Sequence, residues 1–143
     1  MSKAIFITAL LVLCSASPVP AASFTDNGNG TITDNKTGLM WQKQDDAATK
    51  TWEQALSYCE GLSLDGYTNW RLPNVKELSS IVDDTRYGPA INTVYFPNTQ
   101  SSYYWSSTSD AYSTPTFAWR VNFNTGDVDG YYKTDLYYVR CLR

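Results

Sequence analysis

Apolar residues are placed along this chain in two periods and one dense run. At Val75, Leu78, Ile81 and Val82 they fall three or four apart, behind Asn74 and with Glu77 three positions beyond it, which predicts a helix opened by a capping box. The preceding Asn69-Trp70-Arg71-Leu72 reads as an extended segment stopped by Pro73, which biases Leu72 away from helical backbone. Trp70 and Leu72 are expected to pack beneath that helix. An earlier helix opens at Thr51 with Gln54 in the capping-box position; Trp52, Ala55, Leu56, Cys59 and Leu62 form its inward stripe, and Gly61 or Gly66 ends it. The second period is two. Phe117, Trp119, Val121 and Phe123 alternate with Ala118, Arg120 and Asn122 as a half-buried antiparallel strand, Asn124-Thr125-Gly126 supplies a turn, and Val128 starts the return. Residues 136–142 read as a closing strand with Val139 and Cys141 facing in and Tyr138 and Arg140 facing out. Leu39-Met40-Trp41 and Tyr103-Tyr104-Trp105-Ser106-Ser107 are strand-like, and Trp105 and Trp119 are assigned to the core.

The dense run lies at the start. Lys3 precedes a ten-residue stretch, 4–13, apolar at every position but Thr8 and too short to span a bilayer as a helix, and the small and turn-forming residues 15–23 follow. This is the pattern of a secretory signal peptide over residues 1–21, with cleavage after Ala21 or Ala22 and a single domain over residues 22–143. Cys14 offers a lipoprotein alternative, disfavoured because Leu13 stands where lipidation wants a small residue. The expected location is therefore secreted, periplasmic or cell-surface, with no transmembrane segment in the mature chain.

Charge and composition narrow the chemistry. Of 11 basic residues one is Lys3, so the mature domain carries ten against fourteen acidic residues, about −4. That balance argues against nucleic acid, whose phosphates recruit clustered Lys and Arg. The chain has no histidine, which removes the usual near-neutral acid or base, the commonest zinc ligand and every Ser/His or Cys/His nucleophile; the protein is read as not an enzyme. Two cysteines remain in the mature chain, Cys59 and Cys141, and under oxidising export conditions such a pair normally closes. The bridge would pin the last strand to the first helix and stabilise the fold by roughly 4 kcal/mol in the chain-entropy model.

Polar stretches carry the remaining signals. Asp26-Asn27-Gly28-Asn29-Gly30 ahead of Thr31-Ile32-Thr33-Asp34 reads as a hairpin or tight turn; the competing reading, a calcium loop built on Asp26, Asn27, Asn29 and Asp34, lacks the bidentate glutamate and spacing of an EF-hand. Asn35-Lys36-Thr37 is a formal glycosylation acceptor. Residues 83–100 show little periodicity and are expected to form a long irregular connection. Beyond them the chain crowds Tyr, Asn and Asp together. Tyr112, Asn122, Asn124, Asp127, Asp129, Tyr131, Tyr132, Lys133, Asp135 and Tyr137 are the candidate ligand-binding residues, because tyrosine offers rigid amphipathic area and the polar residues adaptable hydrogen bonds, the composition of a binding paratope.

Several motifs occur in a recognisable order: Thr37-Gly38-Leu39-Met40-Trp41, Tyr58-Cys59 at a helix end, Asn69-Trp70-Arg71-Leu72-Pro73 with Glu77-Leu78, Tyr104-Trp105-Ser106-Ser107, Ala118-Trp119 before Val121-Asn122-Phe123, and Val139-Arg140-Cys141. Over nearly the whole mature chain this resembles the C-terminal domain of the Legionella collagen-like adhesin, a family similar to C-type-lectin-like domains and to the formylglycine-generating sulfatase-modifying fold. The resemblance implies an α+β, C-type-lectin-like domain of two helices and small antiparallel sheets, with the N- and C-termini close together, a disulfide from first helix to last strand, and trimers. It also implies an exported, non-catalytic, adhesin-like module recognising a glycan or cell-surface ligand. The family's association with sulfated glycosaminoglycans comes with a collagen-like stalk that this sequence lacks, and sits poorly with the acidic balance. No cofactor is expected, since the lectin tripeptides that set calcium under sugar hydroxyls do not occur; Phe96-Pro97-Asn98 is the nearest. The alternative class is a protein-binding receptor or a structural envelope module. The Tyr/Asn/Asp-rich C-terminal part also resembles the variable segments of lectin-fold proteins diversified by retroelements.

Overall fold

From Ser23 onward the chain runs three residues as a strand and then reverses. The computed structural model describes residues 23–111 and 115–143, so the expected signal peptide with Cys14, and the candidate Tyr112, lie outside the described residues. β1 (Phe24–Asp26) turns into β2 (Thr31–Asp34) through Gly28 and Gly30, whose φ of 76° and 85° would strain a side chain, while the Asp26 carboxylate accepts the Gly28 amide at 3.0 Å. Asp26 also pairs with Lys43, and Asn27 and Asn29 bond within or near the turn, as the hairpin reading expects. β3 (Met40–Gln42) completes an antiparallel sheet of order β1-β2-β3.

α1 (Trp52–Glu60) and α2 (Val75–Ser79) follow, each opened by its capping box: Thr51 with Gln54, Asn74 with Glu77. A second antiparallel sheet, order β4-β5-β6, is built from β4 (Tyr103–Ser109), β5 (Phe117–Asn122) and β6 (Val128–Tyr132). The described residues are thus α+β, with two helices and two small antiparallel sheets. Between α2 and β4 the chain is irregular, as expected. None of the helices among the described residues is long and apolar enough to cross a membrane.

Two apolar clusters fill the interior. One gathers Ile32, Trp41, Leu78, Ile81, Ile91, Phe96, Tyr104, Val121, Phe123 and Leu142; the other gathers Ala55, Cys59, Trp70, Leu72, Trp105, Ala118, Val139 and Cys141. Trp70 and Leu72 therefore pack with α1 and the cystine, not beneath α2. Helix α2 is also shorter than its apolar spacing suggested, because the hydroxyls of Ser79 and Ser80 bond the carbonyls of Val75 and Glu77, and Ile81 reaches the core from the turn that follows. What fixes the extended segment before Pro73 against α2 is Arg71, which grips Glu77 through two bonds of 2.8 and 2.7 Å while its backbone pairs with Leu142.

The C-terminal segment departs most from the alternation read in it. Residues 137–142 form isolated bridges instead of a continuous strand: Tyr137 with Lys50, Tyr138 with Tyr104, and Leu142 with both Trp41 and Arg71. From Val139 to Leu142 this tail lies between other segments with no solvent face, so Arg140 is buried at 1% exposure, while Tyr138 before it is half-buried. In β5 the phase is likewise mixed, with Ala118 and Arg120 buried and Trp119, opposite Gly130, only half-buried. The Cys59–Cys141 disulfide closes, with 5.5 Å between Cα atoms, and ties α1 to the tail.

Candidate ligand-binding face

The β5–β6 hairpin sets its cross-strand register through the turn after Asn122. Gly126 takes φ +90°, and a Cβ there would come within 2.9 Å of Val82, so only glycine lets this turn sit against the loop below. Arg120 then stands between Trp105 on β4 and Asp129 on β6, with Tyr103 and Tyr131 two positions away on the flanking strands. Residues two apart share a sheet face, so these side chains converge on one side.

They converge around Arg120. Its guanidinium carbon lies 3.6 Å from the Tyr103 ring centroid, 4.2 Å from that of Tyr131 and 4.5 Å from that of Tyr137, all within cation–π range. Nε donates to Asp129 Oδ1 at 2.7 Å and Nη2 to Oδ2 at 3.0 Å. The Arg120 side chain is 6% exposed and that of Asp129 50%, so a buried cation is neutralised by a carboxylate with one side in solvent. Burial works against the guanidinium charge, but the Asp129 bonds and the neighbouring Tyr137 and Tyr103 phenols outweigh it and raise the pKa. Tyr137 packs edge-on against Trp105 at 4.9 Å and donates to Asp135 at 3.3 Å. Burial pushes its phenol up to about 12, with Asp135 adding and Arg120 opposing, so it remains a proton donor near neutrality.

A family model for the Lcl C-terminal domain matches residues 30–143. The chain belongs to the Lcl C-terminal domain family. No curated protein matches it.

In this Lcl C-terminal domain the candidate residues divide into three groups. Asp129, Tyr131, Asp135 and Tyr137 meet at the Arg120 cage. Asn122, Asn124 and Asp127 instead hold the hairpin turn, the Asn122 side chain accepting the Asn124 amide and Asp127 the Thr125 hydroxyl. Tyr132 projects from the other side of β6, its ring 4.4 Å from that of Phe117. With Lys133 it borders a groove of about 390 Å³ that also includes Trp52 and Pro115. The Lys133 ammonium lies 4.1 Å from the Trp52 ring and donates to Ser109 Oγ and the Pro115 carbonyl. A larger cavity of about 530 Å³ lies elsewhere, beside Phe24, Ile81 and Tyr95; of its three carboxylates, Asp34, Asp83 and Asp84, the first two bond neighbouring amides and Thr85 and Arg86.

The centre of the cage, Arg120, was missing from the sequence-derived set, as was Tyr103. A signal existed. A hairpin turning on Asn124-Thr125-Gly126 with Val121 opposite Val128 places Arg120 opposite Asp129, a cross-strand charge pair.

Proposed function

We propose that this Lcl C-terminal domain is an exported, non-catalytic binding module that recognises a glycan or cell-surface ligand through the tyrosine face over Arg120. The observation that carries the reading is the set of three tyrosine rings held about one buried, Asp129-paired guanidinium. Side chains locked in this way lose little further freedom when a ligand docks, and tyrosine rings offer flat area to a sugar face. A phenol held protonated, as at Tyr137, suits hydrogen bonding better than proton abstraction, which favours recognition over catalysis. The two helices and two small antiparallel sheets fit a C-type-lectin-like arrangement, and the disulfide fits an oxidising, secreted, periplasmic or surface location. The acidic balance speaks against nucleic acid. Homo-oligomers, trimers by the family resemblance, belong to the same reading and are checked by light scattering.

The test is a glycan array with dissociation constants for each hit, before and after changing Tyr131 and Tyr132 together to Ala. Loss of a central aromatic contact predicts at least about tenfold weaker binding with an unchanged circular dichroism spectrum. Unchanged binding would discard the site.

A further inference from the structure

We infer that the tyrosine face takes uncharged glycans and turns away sulfated or uronate-rich ones. This rests on the binding reading above and adds the charge class of the ligand.

Recognition of sulfate or carboxylate needs a cation with a donor edge to offer. Arg120 is the cation nearest the rings, yet its Nε–Nη2 edge is given to Asp129, its surroundings are tyrosine rings, and its side chain is 6% exposed. The two neighbouring lysines are also engaged. Lys133 is tied to Ser109 and Pro115 above Trp52 in the separate groove, and Lys50, whose backbone pairs with Tyr137, sends its ammonium to Asp46 and the Tyr58 ring. Carboxylates, by contrast, line the face. Asp129 is half-exposed and Asp135 sits beside Tyr137, so the buried guanidinium stands between two acidic groups, with a third, Asp127, exposed at the hairpin turn beyond them. A polyanion laid across these rings meets like charge at close range, whereas a neutral pyranose does not. Its hydroxyls can donate to the acceptor-only oxygens of Asp129 and to the Tyr137 phenol oxygen, whose own proton goes to Asp135, and its C–H face can lie on Tyr131, which is 38% exposed.

The purified chain is assayed against neutral oligosaccharides from chitin, glucan and mannan, and against heparin and polygalacturonate fragments, at low and at physiological salt. The expected result is neutral-probe binding that Tyr131→Ala weakens, with anionic probes at least about tenfold weaker at low salt, where screening is least. The paired substitution Asp127→Asn with Asp135→Asn should narrow that ratio. Anionic probes binding as tightly as neutral ones, in a manner sensitive to Tyr131→Ala, would overturn the charge inference and leave the recognition reading standing. If no probe of either class responds to Tyr131→Ala, both fall together.

Discussion

Arg140 carries more of this structure than any other polar side chain described. Nη1 donates to the carbonyls of Gln42 and Lys43 at 2.8 and 2.5 Å, and Nη2 to Asp45 Oδ2 at 3.1 Å, Asn98 Oδ1 at 3.3 Å and Thr99 Oγ1 at 3.0 Å. Asp45 also accepts the Tyr104 hydroxyl at 2.8 Å. Burial pushes the guanidinium pKa down and the Tyr104 phenol up, with Asp45 holding the cation charged. Removing one member of such a pair leaves the other charge buried and alone, so Arg140→Met is expected to cost about 3–5 kcal/mol in urea unfolding. Arg140→Lys should recover little of it, because a single ammonium cannot reach acceptors spread over two loops. A lysine variant within about 1 kcal/mol of the parent would show that charge alone suffices. This role was not legible in the sequence. Val139 and Cys141 facing the core imply, by alternation, an exposed Arg140, and that inference holds only for a strand with one open side. The covering groups, near positions 42–45 and 98–99, are remote in sequence, and nothing local announces them. The Arg120 cage is hidden for the same reason, although its hairpin register could have been drawn.

At the scale of elements, the legible features are those written within four residues. Both capping boxes, the Asn-Gly turn and the β5–β6 turn are local hydrogen-bond patterns, and all are found where the residue types place them. Helix ends and packing partners are set from further away: α2 stops where two serines take its carbonyls, and Trp70 and Leu72 go to the other cluster. With five residues, α2 is too short to persist alone, so it depends on buried Leu78 and on the Arg71–Glu77 pair. The Arg71 guanidinium lowers the Glu77 pKa first, and the Asn74 amide adds to this against partial burial. A folded-state pKa below the unfolded value means that the stabilisation is complete above about 4.5 and is lost as pH falls through the folded value. Glu77→Gln should therefore cost about 1–2 kcal/mol near neutrality. Its gap to the parent should close as the medium is acidified below that point. Urea midpoints across an acid series give the check, and a gap that stays constant into strong acid would mean that Glu77 acts by shape and not by charge.

For the whole molecule the tail works as a weld. Arg143 exchanges backbone hydrogen bonds with Met40 at the first sheet, Tyr138 accepts from Trp105 and donates to Tyr103 at the second, and Leu142 bonds Arg71 ahead of α2. Each apolar cluster also contains tail residues, Leu142 in one and Val139 with Cys141 in the other. Neither half can open without stripping this strip from its own side, so the two sheets should melt as one unit. Calorimetry is expected to give a single transition with equal calorimetric and van't Hoff enthalpies. The disulfide, joining residues separated by 82 positions, restrains the unfolded chain more than it shapes the fold. Replacing Cys59 and Cys141 together with Ala should lower stability by about 4 kcal/mol, or roughly 15 °C in Tm for a domain of this size, while the transition stays single. Two separate transitions in the Ala variant would mean that the cystine, and not the hydrogen-bonded tail with its buried Arg140, couples the sheets. A single transition shifted downward would assign that coupling to the tail itself, and with it the rigidity of the base on which Tyr137 joins the Arg120 cage.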